Sequence, residues 1–129
     1  MTVKIFTQEE LSNPSWKERN EIIASLIPPD QSILDIGCGE KNFLKYYKPS
    51  RYIGIALYSN ATIKMDLNNI TLLPFGFDYV ICSGIMEYLD DLTVFLDKLK
   101  YSANNYIFTW SNIGKDGFPI NNRREIKEL

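Results

Sequence analysis

The sequence contains no histidine, only two cysteines and no excess of basic residues. The absence of histidine excludes imidazole as a general base, and two cysteines alone fall short of the usual zinc ligand sets, so no metal site is expected. Cys38 and Cys82 are also too few for a disulfide scaffold. They are interpreted as reduced structural thiols of a cytoplasmic protein.

Charge and hydropathy exclude further classes of protein. The net charge is -2 and the pI is about 5.1, which is unlike the clustered basic face of a nucleic-acid-binding protein. Nucleic acid is therefore not the expected partner. No apolar run approaches the ~18 residues of a membrane span, so no membrane partner is expected either. Residues 1–10 contain acids and lack the apolar core of a signal peptide.

Enough apolar residues are nevertheless present to form a core. Of the 129 residues, 45% are hydrophobic and 13% are aromatic. No internal repeat, low-complexity tract or linker interrupts the sequence. This composition predicts that residues 1–129 form a single globular domain.

The segment ILDIGCGE (33–40) is the most informative stretch of the chain. Ser32–Ile36 is short, apolar and bounded by turn signals, which predicts a buried strand. Gly37 and Gly39 allow a sharp turn and a close approach of backbone to a ligand. A helix predicted over residues 41–47 would direct its first N–H groups into the same space. The alternative interpretation is a purely structural turn between strand and helix.

Apolar patterns and turn residues predict an alternation of strands and helices along the rest of the chain. The predicted helices are 16–26, 41–47, 90–101 and 121–129, and the predicted strands are Ser32–Ile36, 52–57, 62–65, Phe77–Ser83 and 105–110. Only residues 58–61 separate the second and third strands, which is too short for a crossover helix.

This order of elements predicts a Rossmann-like three-layer α/β sandwich with a mainly parallel sheet of about five strands. The first and fourth predicted strands are expected to be neighbours, with the ligand at the carboxyl ends of the strands. The fifth predicted strand, 105–110, is expected to lie at an exposed edge. An exposed apolar edge favours a homodimer, unless residues 113–119 fold over it.

In the order and spacing of four segments the chain resembles class I S-adenosylmethionine-dependent methyltransferases. ILDIGCGE is similar to the family's glycine loop, and YIGIALYS (52–59) to the strand whose end faces the ribose. KMDL (64–67) is similar to the turn that meets the adenine. LPF (73–75) with FDYVICSGIMEYLDD (77–91) is similar to the strand and loop over the methyl group. The resemblance implies S-adenosylmethionine as the cofactor, and the acidic charge balance favours a small molecule over a nucleic acid as the substrate.

The resemblance also implies a set of cofactor-binding residues. Asp35 would attract the ammonium group of the cofactor, and Asp66 would accept a hydrogen bond from the adenine amine. Turn capping is the alternative for Asp35, and an Asx turn is the alternative for Asp66. The implied cofactor-binding residues are Asp35, Gly37, Cys38, Gly39, Ala56, Leu57, Asp66, Leu67 and Ser83. Glu87 and Tyr88 stand either beside the substrate or at a helix start, and no catalytic residue is identified.

Three positions depart from the family pattern. Ala56 stands where the family has an acid that binds the ribose hydroxyls, and Lys41 or Asn42 replaces a third glycine. Residues 123–129 look like a family helix cut short, so the domain is expected to be truncated or shortened and to lack the family's C-terminal antiparallel pair. Two alternative functions stay open: a non-catalytic methyltransferase-like binding domain or inactive fragment, and a nicotinamide-dependent oxidoreductase.

Overall fold

A computed structural model of the chain describes residues 2–7, 16–57, 60–85 and 89–110. The strands are β1 (Thr2–Thr7), β2 (Ser32–Ile36), β3 (Arg51–Ala56), β4 (Ile63–Lys64), β5 (Phe77–Ser83) and β6 (Ala103–Trp110). The helices are α1 (Trp16–Ser25), α2 (Leu92–Leu99) and a 3-10 helix at Asn42–Lys45. The predicted helix over 121–129 and the residues Glu87 and Tyr88 lie outside the described residues.

The strands form one sheet in the order β1-β6-β5-β2-β3-β4, and every strand pair among the described residues is parallel. β2 lies between β3 and β5, so that Asp35 is opposite Gly54 on one side and Ile81 on the other. β2 and β5 are the first and fourth predicted strands, so the prediction that these two are neighbours is confirmed. The predicted Rossmann-like α/β architecture is confirmed as well, since parallel strands need helices to cover their apolar faces.

The edge beside β6 differs from the prediction. β1 pairs with β6 over six residues, from Thr2 opposite Asn105 to Thr7 opposite Trp110. The described sheet therefore has six strands, and the prediction of a free edge at residues 105–110 is wrong. The expected homodimer loses the exposed edge on which it depended. Val3 and Ile5 alternate with Thr2 and Lys4, but Phe6 interrupts the alternation, so the sequence indicates β1 only weakly.

Two apolar layers cover the sheet. On one face, α2 buries Leu92, Phe95, Leu96 and Leu99 against the β2 and β5 side chains. On the other face, Ile23 of α1 and Ile27 just after the helix belong to a cluster with Ile33 of β2, Ile81 of β5 and Ile107 of β6. Because strand side chains alternate between faces, Asp35 follows Ile33 onto the α1 side.

The helix predicted over 41–47 is wrong. Only Asn42–Lys45 is helical, as a single 3-10 segment. The preceding residue Lys41 has a left-handed backbone with φ 61, and its side chain makes no capping hydrogen bond. Such a segment is too short and too tightly wound to act as an α-helix with a substantial dipole. Backbone groups of the glycine loop, and not a helix N-terminus, therefore border the carboxyl end of β2.

The short connection between β3 and β4 is confirmed. β3 ends at Ala56 and β4 begins at Ile63, and none of the described residues between them, 57 and 60–62, is helical. This is geometrically feasible because β4 pairs only with the last two residues of β3, Ile55 opposite Ile63 and Ala56 opposite Lys64. The connection therefore has to run back along β3 by only about two residues, and not by the whole length of the strand.

A polar clamp joins β2 and β5 at the amino ends of the strands, and its removal is the first testable change. The Ser32 backbone N–H and Oγ–H both donate to Asp78 Oδ2, at 2.8 and 2.9 Å, and the Asp78 N–H donates to Ser32 Oγ at 2.8 Å. Ser32→Ala is expected to lower the free energy of unfolding by about 1–3 kcal/mol, because the Asp78 N–H loses its partner. Urea denaturation measures the change. Ser50→Ala, at an exposed position, is the control with an expected change within about 0.5 kcal/mol, and an equal loss in both variants would contradict the role of the clamp.

Candidate functional site

The glycine loop is fixed against the end of β3. The N–H groups of Gly37 and Cys38 both donate to the carbonyl oxygen of Ile55, at 2.8 and 3.1 Å. Gly37 and Gly39 have positive φ angles of 76 and 53°, a conformation that glycine adopts without steric cost. The Lys41 N–H then donates to the Cys38 carbonyl at 2.8 Å and closes the turn. The loop thus lies over the carboxyl edge of the sheet, as the sequence predicted.

The segment that follows β5 contacts the first glycine of the loop. A Cβ atom placed on Gly37 would lie 2.2 Å from Cγ2 of Ile85, far inside van der Waals contact. Gly37 is therefore required for two separate reasons, its backbone conformation and the position of the Ile85 side chain. The two loops that the resemblance assigns to the cofactor's methionine end and to its methyl group are in direct contact.

Asp35 is a buried carboxyl group at the carboxyl end of β2. Only 4% of its surface is exposed. Burial raises its pKa to about 7, because the charged form loses its hydration, while a hydrogen bond from the Tyr52 hydroxyl to Oδ2 at 2.7 Å partly opposes this rise. The ionisation of Asp35 is therefore balanced near neutral pH, and a cation placed beside it would favour the carboxylate.

Cys38 and Cys82 are buried thiols without a disulfide. Burial raises the pKa of Cys38 to about 11, and the negative charge of Asp35 adds to the rise. Burial likewise raises the pKa of Cys82 well above the usual value. Both sulfur atoms stay protonated near neutral pH, which suits structural thiols and not nucleophiles.

Asp66 takes part in an Asx turn. Its Oδ1 accepts the Asn68 N–H at 2.9 Å, and its backbone carbonyl accepts the Asn69 N–H at 2.9 Å. The turn lies next to the end of β3, since the Met65 N–H donates to the Ala56 carbonyl at 3.1 Å. The Asx turn given above as the alternative role of Asp66 is therefore present. The side chain is nevertheless exposed, and one oxygen is sufficient for the turn.

Ala56 is the last residue of β3 and is buried, whereas Leu57 after it is exposed. Leu67 is half-buried at the Asx turn. Ser83 ends β5, where its Oγ lies 3.4 Å from Oγ1 of the buried Thr109. Sheet topology thus brings Asp35, the glycine loop, Ala56 and Ser83 to one edge, where parallel α/β sheets bind ligands.

Arg19 lies at this edge too, although no sequence motif indicated it. This residue of α1 is buried, and a Cβ atom on Gly84 would lie 3.0 Å from its Nη1. Gly84 has a positive φ of 71°, and its N–H donates to Thr109 Oγ1 at 2.9 Å. A guanidinium group therefore reaches the carboxyl end of β5 from the helix above. The signal in the sequence was a basic residue four positions before Ile23, on the apolar face of α1.

Two further classes of site are absent from the described part of the chain. Among residues 2–7, 16–57, 60–85 and 89–110, no group of three or more aspartate, glutamate or cysteine side chains is placed to hold a metal ion. None of the helices in these ranges is long and apolar enough to cross a membrane.

Comparison of the sequence with protein-family models and with curated proteins finds no match. Solved structures do match. A SAM dependent methyltransferase from Aquifex aeolicus has a TM-score of 0.61 and 19% identity, with 93% of this chain and 82% of that chain covered. An S-adenosylmethionine dependent methyltransferase from Mesorhizobium loti has a TM-score of 0.57 and 17% identity, with 67% and 50% covered.

A third similar structure is the plantazolicin methyltransferase BpumL in complex with a monoazolic desmethylPZN analog and SAH. Its TM-score is 0.50 at 20% identity, with 78% of this chain and 55% of that chain covered. The chain therefore spans about half the length of two of these three proteins. Strand order, parallel pairing and these matches agree: the chain has the fold of class I S-adenosylmethionine-dependent methyltransferases.

Proposed function

We propose that the chain binds S-adenosylmethionine at the carboxyl ends of β2, β3 and β5 and catalyses the transfer of the cofactor's methyl group to a small molecule. The observation that carries the proposal is a buried carboxyl group, Asp35, directly before a glycine loop at the ligand-binding edge of a methyltransferase-like sheet. A cationic ammonium group is the ligand that compensates the burial of such a carboxylate.

The residues present fit such a cofactor. Asp35 would hold the ammonium group, and the bare backbone of Gly37, Cys38 and Gly39 would lie along the methionine part. Ala56 and Leu57 would border the ribose. Asp66 has a second carboxylate oxygen to accept the adenine amine, and the Leu67 N–H would donate to the ring. Ser83 would stand beside the sulfonium.

When bound, the cofactor supplies a methyl group that its sulfonium already makes electrophilic. The chain's contribution is then to orient the two reactants and to exclude water around them. The contact of Ile85 with Gly37 supports this, because it brings an apolar side chain to the loop. No side chain is assigned as a general base, and the sequence contains no histidine.

The substrate class follows from charge. A net charge of -2 disfavours a nucleic-acid substrate, so a small molecule in the cytoplasm is proposed. A homodimer is not part of the proposal, because β1 occupies the edge of β6.

A non-catalytic methyltransferase-like binding domain is the second candidate, and Ala56 is the observation that favours it. The described residues after β3, Leu57 and Asn60, bring no carboxylate to the place of the missing acid. Calorimetry of the 129-residue chain with S-adenosylmethionine, S-adenosylhomocysteine and NAD separates the candidates. Binding of the first two alone supports the proposal. Binding of NAD alone would favour an oxidoreductase, and binding of none would overturn the cofactor site.

Restoring the missing acid is the second testable change. Ala56→Asp is expected to tighten the binding of S-adenosylhomocysteine by about 10- to 100-fold, because a hydrogen bond to a charged group contributes roughly 1.5–3 kcal/mol. Calorimetric titration measures the affinity, and circular dichroism checks that the variant folds with a carboxylate at a buried position. Thr71→Asp is the control, since it adds the same charge at an exposed position near the amino end of β6. Equal affinity of the folded Ala56→Asp variant and the wild type would show that Ala56 is not at the ribose.

A further inference from the structure

Gly54 leaves open a space beside Asp35 that two other side chains fill. The two residues are opposite each other in the pairing of β2 with β3. A Cβ atom on Gly54 would lie 2.8 Å from Sγ of Cys38 and 2.9 Å from Oη of Tyr52. Any larger residue at position 54 would therefore displace both groups from the neighbourhood of the carboxyl group.

Tyr52 uses this space to reach Asp35. It stands two residues before Gly54 on the same face of β3, and its ring extends along the strand past the glycine. Its hydroxyl donates to Asp35 Oδ2 at 2.7 Å, a length typical of a strong O–H···O bond. This bond fixes Oδ2 and lowers the pKa of Asp35. Tyr52 does not use Oδ1, which can accept a hydrogen bond from a ligand.

We propose that Tyr52 is a positioning residue of the cofactor site, which holds Oδ2 of Asp35, leaves Oδ1 for the ammonium group of S-adenosylmethionine and favours the ionised carboxylate. The identity of the ligand in this proposal rests on the proposed function. The role of Tyr52 rests on the geometry of Tyr52, Gly54 and Asp35. Gly54 belongs to the same device, since it provides the space through which the hydroxyl passes.

The surroundings of Asp35 predict how this device responds to pH. The titratable groups that face it are Tyr52 from β3, Cys38 from the glycine loop and Cys82 from β5, and burial raises the pKa of all three. They stay neutral between about pH 5.5 and about pH 8.5. Cations near the carboxyl ends of β2 and β5 include Lys41, with Nζ 5.9 Å from the centre of the Tyr52 ring, and Arg19 of α1 against Gly84. Asp35 itself is therefore expected to titrate in this range.

An ammonium ligand binds the ionised form of Asp35. Because burial raises the Asp35 pKa to about 7, affinity for the ligand should rise as the pH increases through neutrality. The Tyr52 hydroxyl stabilises the carboxylate, so removing it should shift this rise to higher pH. A side chain that only filled space would change affinity by the same factor at every pH.

The test compares Tyr52→Phe with the wild type by calorimetric titration with S-adenosylhomocysteine from about pH 5.5 to about pH 8.5. The expected result is a midpoint near pH 7 for the wild type and a midpoint about one pH unit higher for the variant, with affinity about 5-fold weaker at pH 7. Tyr79→Phe is the matched control. It removes a half-buried hydroxyl from the neighbouring strand β5, in the same apolar cluster, and should leave the midpoint unchanged.

A second readout does not depend on the ligand. The carboxyl carbon of Asp35, followed by NMR in the ligand-free chain, should titrate at higher pH in Tyr52→Phe than in the wild type. If the wild type binds the ligand but both proteins show the same midpoint, the role of Tyr52 is overturned and the proposed function is not. No binding of S-adenosylhomocysteine by the wild type at any pH would overturn the proposed function, and with it the ligand assigned to Oδ1.

Discussion

Asp35→Asn is expected to raise the free energy of unfolding above pH 7 by about 2–4 kcal/mol, although it removes the residue that we assign to ligand binding. Burial raises the Asp35 pKa from the ordinary 3.8 to about 7. The folded chain therefore binds this proton more tightly than the unfolded chain. Stability is lost as the pH rises from about 4 to about 7, by at most about 4 kcal/mol. Asparagine carries no charge, so it escapes this loss while its oxygen still accepts from Tyr52.

Urea denaturation at pH 4 and at pH 8 measures the effect. The gain in stability should appear at pH 8 and fall to less than about 1 kcal/mol at pH 4, where Asp35 is protonated in the folded chain and only partly ionised in the unfolded chain. Asp90→Asn, which neutralises an exposed carboxylate before α2, is the control with a change within about 0.5 kcal/mol. A variant less stable than the wild type at pH 8 would contradict the conclusion that burial destabilises the charged form of Asp35.

The same substitution should weaken binding of S-adenosylhomocysteine by more than about 10-fold at pH 8, since a charged hydrogen bond is lost. Opposite effects on stability and on affinity would distinguish a residue maintained for a ligand from one maintained for the fold. A turn-capping role for Asp35 predicts the reverse, a loss of stability with little change in affinity.

Gly37→Ala is expected to lower the free energy of unfolding by about 2–5 kcal/mol and to abolish ligand binding. The left-handed backbone at φ 76 costs an L-residue about 1–2 kcal/mol. The added methyl group would also lie 2.2 Å from Cγ2 of Ile85, and relieving such overlap typically costs about 1–3 kcal/mol. Gly37 cannot move away freely, because its N–H is bonded to the Ile55 carbonyl at 2.8 Å.

Gly76→Ala separates the two contributions. Gly76 has a similar φ of 83°, and a Cβ atom placed on it would have no neighbour within 4 Å. Its substitution should cost only the backbone part, about 1–2 kcal/mol. Combining Gly37→Ala with Ile85→Ala should restore about 1–2 kcal/mol relative to the sum of the single changes. Equal losses in Gly37→Ala and Gly76→Ala would show that Ile85 does not pack on the loop.

The elements predicted best are those whose physical cause is local. Ser32–Ile36 and Phe77–Ser83 have the predicted bounds because continuous apolar runs between turn residues specify central parallel strands. The spacing of Leu92, Phe95, Leu96 and Leu99 defined the buried face of α2. The alternation of these elements, with the glycine loop after the first, was enough to predict the sheet and the edge where the candidate site lies.

The elements predicted worst depend on chain segments far apart in sequence. β1 becomes a strand through pairing with β6, about a hundred residues later, and its own six residues give only a weak pattern. In place of the predicted helix after the glycine loop there is a 3-10 segment at Asn42–Lys45, which begins after the left-handed residue Lys41. Local propensity favoured a longer helix, and the tertiary position of the loop prevailed over it.

The sequence by itself determined the fold class, the glycine loop and the carboxyl group that precedes it, because these follow from short-range patterns of apolar residues and glycine. Only the tertiary structure decided what surrounds that carboxyl group. The register of β2 against β3 places Gly54 opposite Asp35 and lets Tyr52 reach it, while α1 brings Arg19 to Gly84. Contacts of this kind depend on strand register and on the placement of helices over the sheet, which no local pattern encodes.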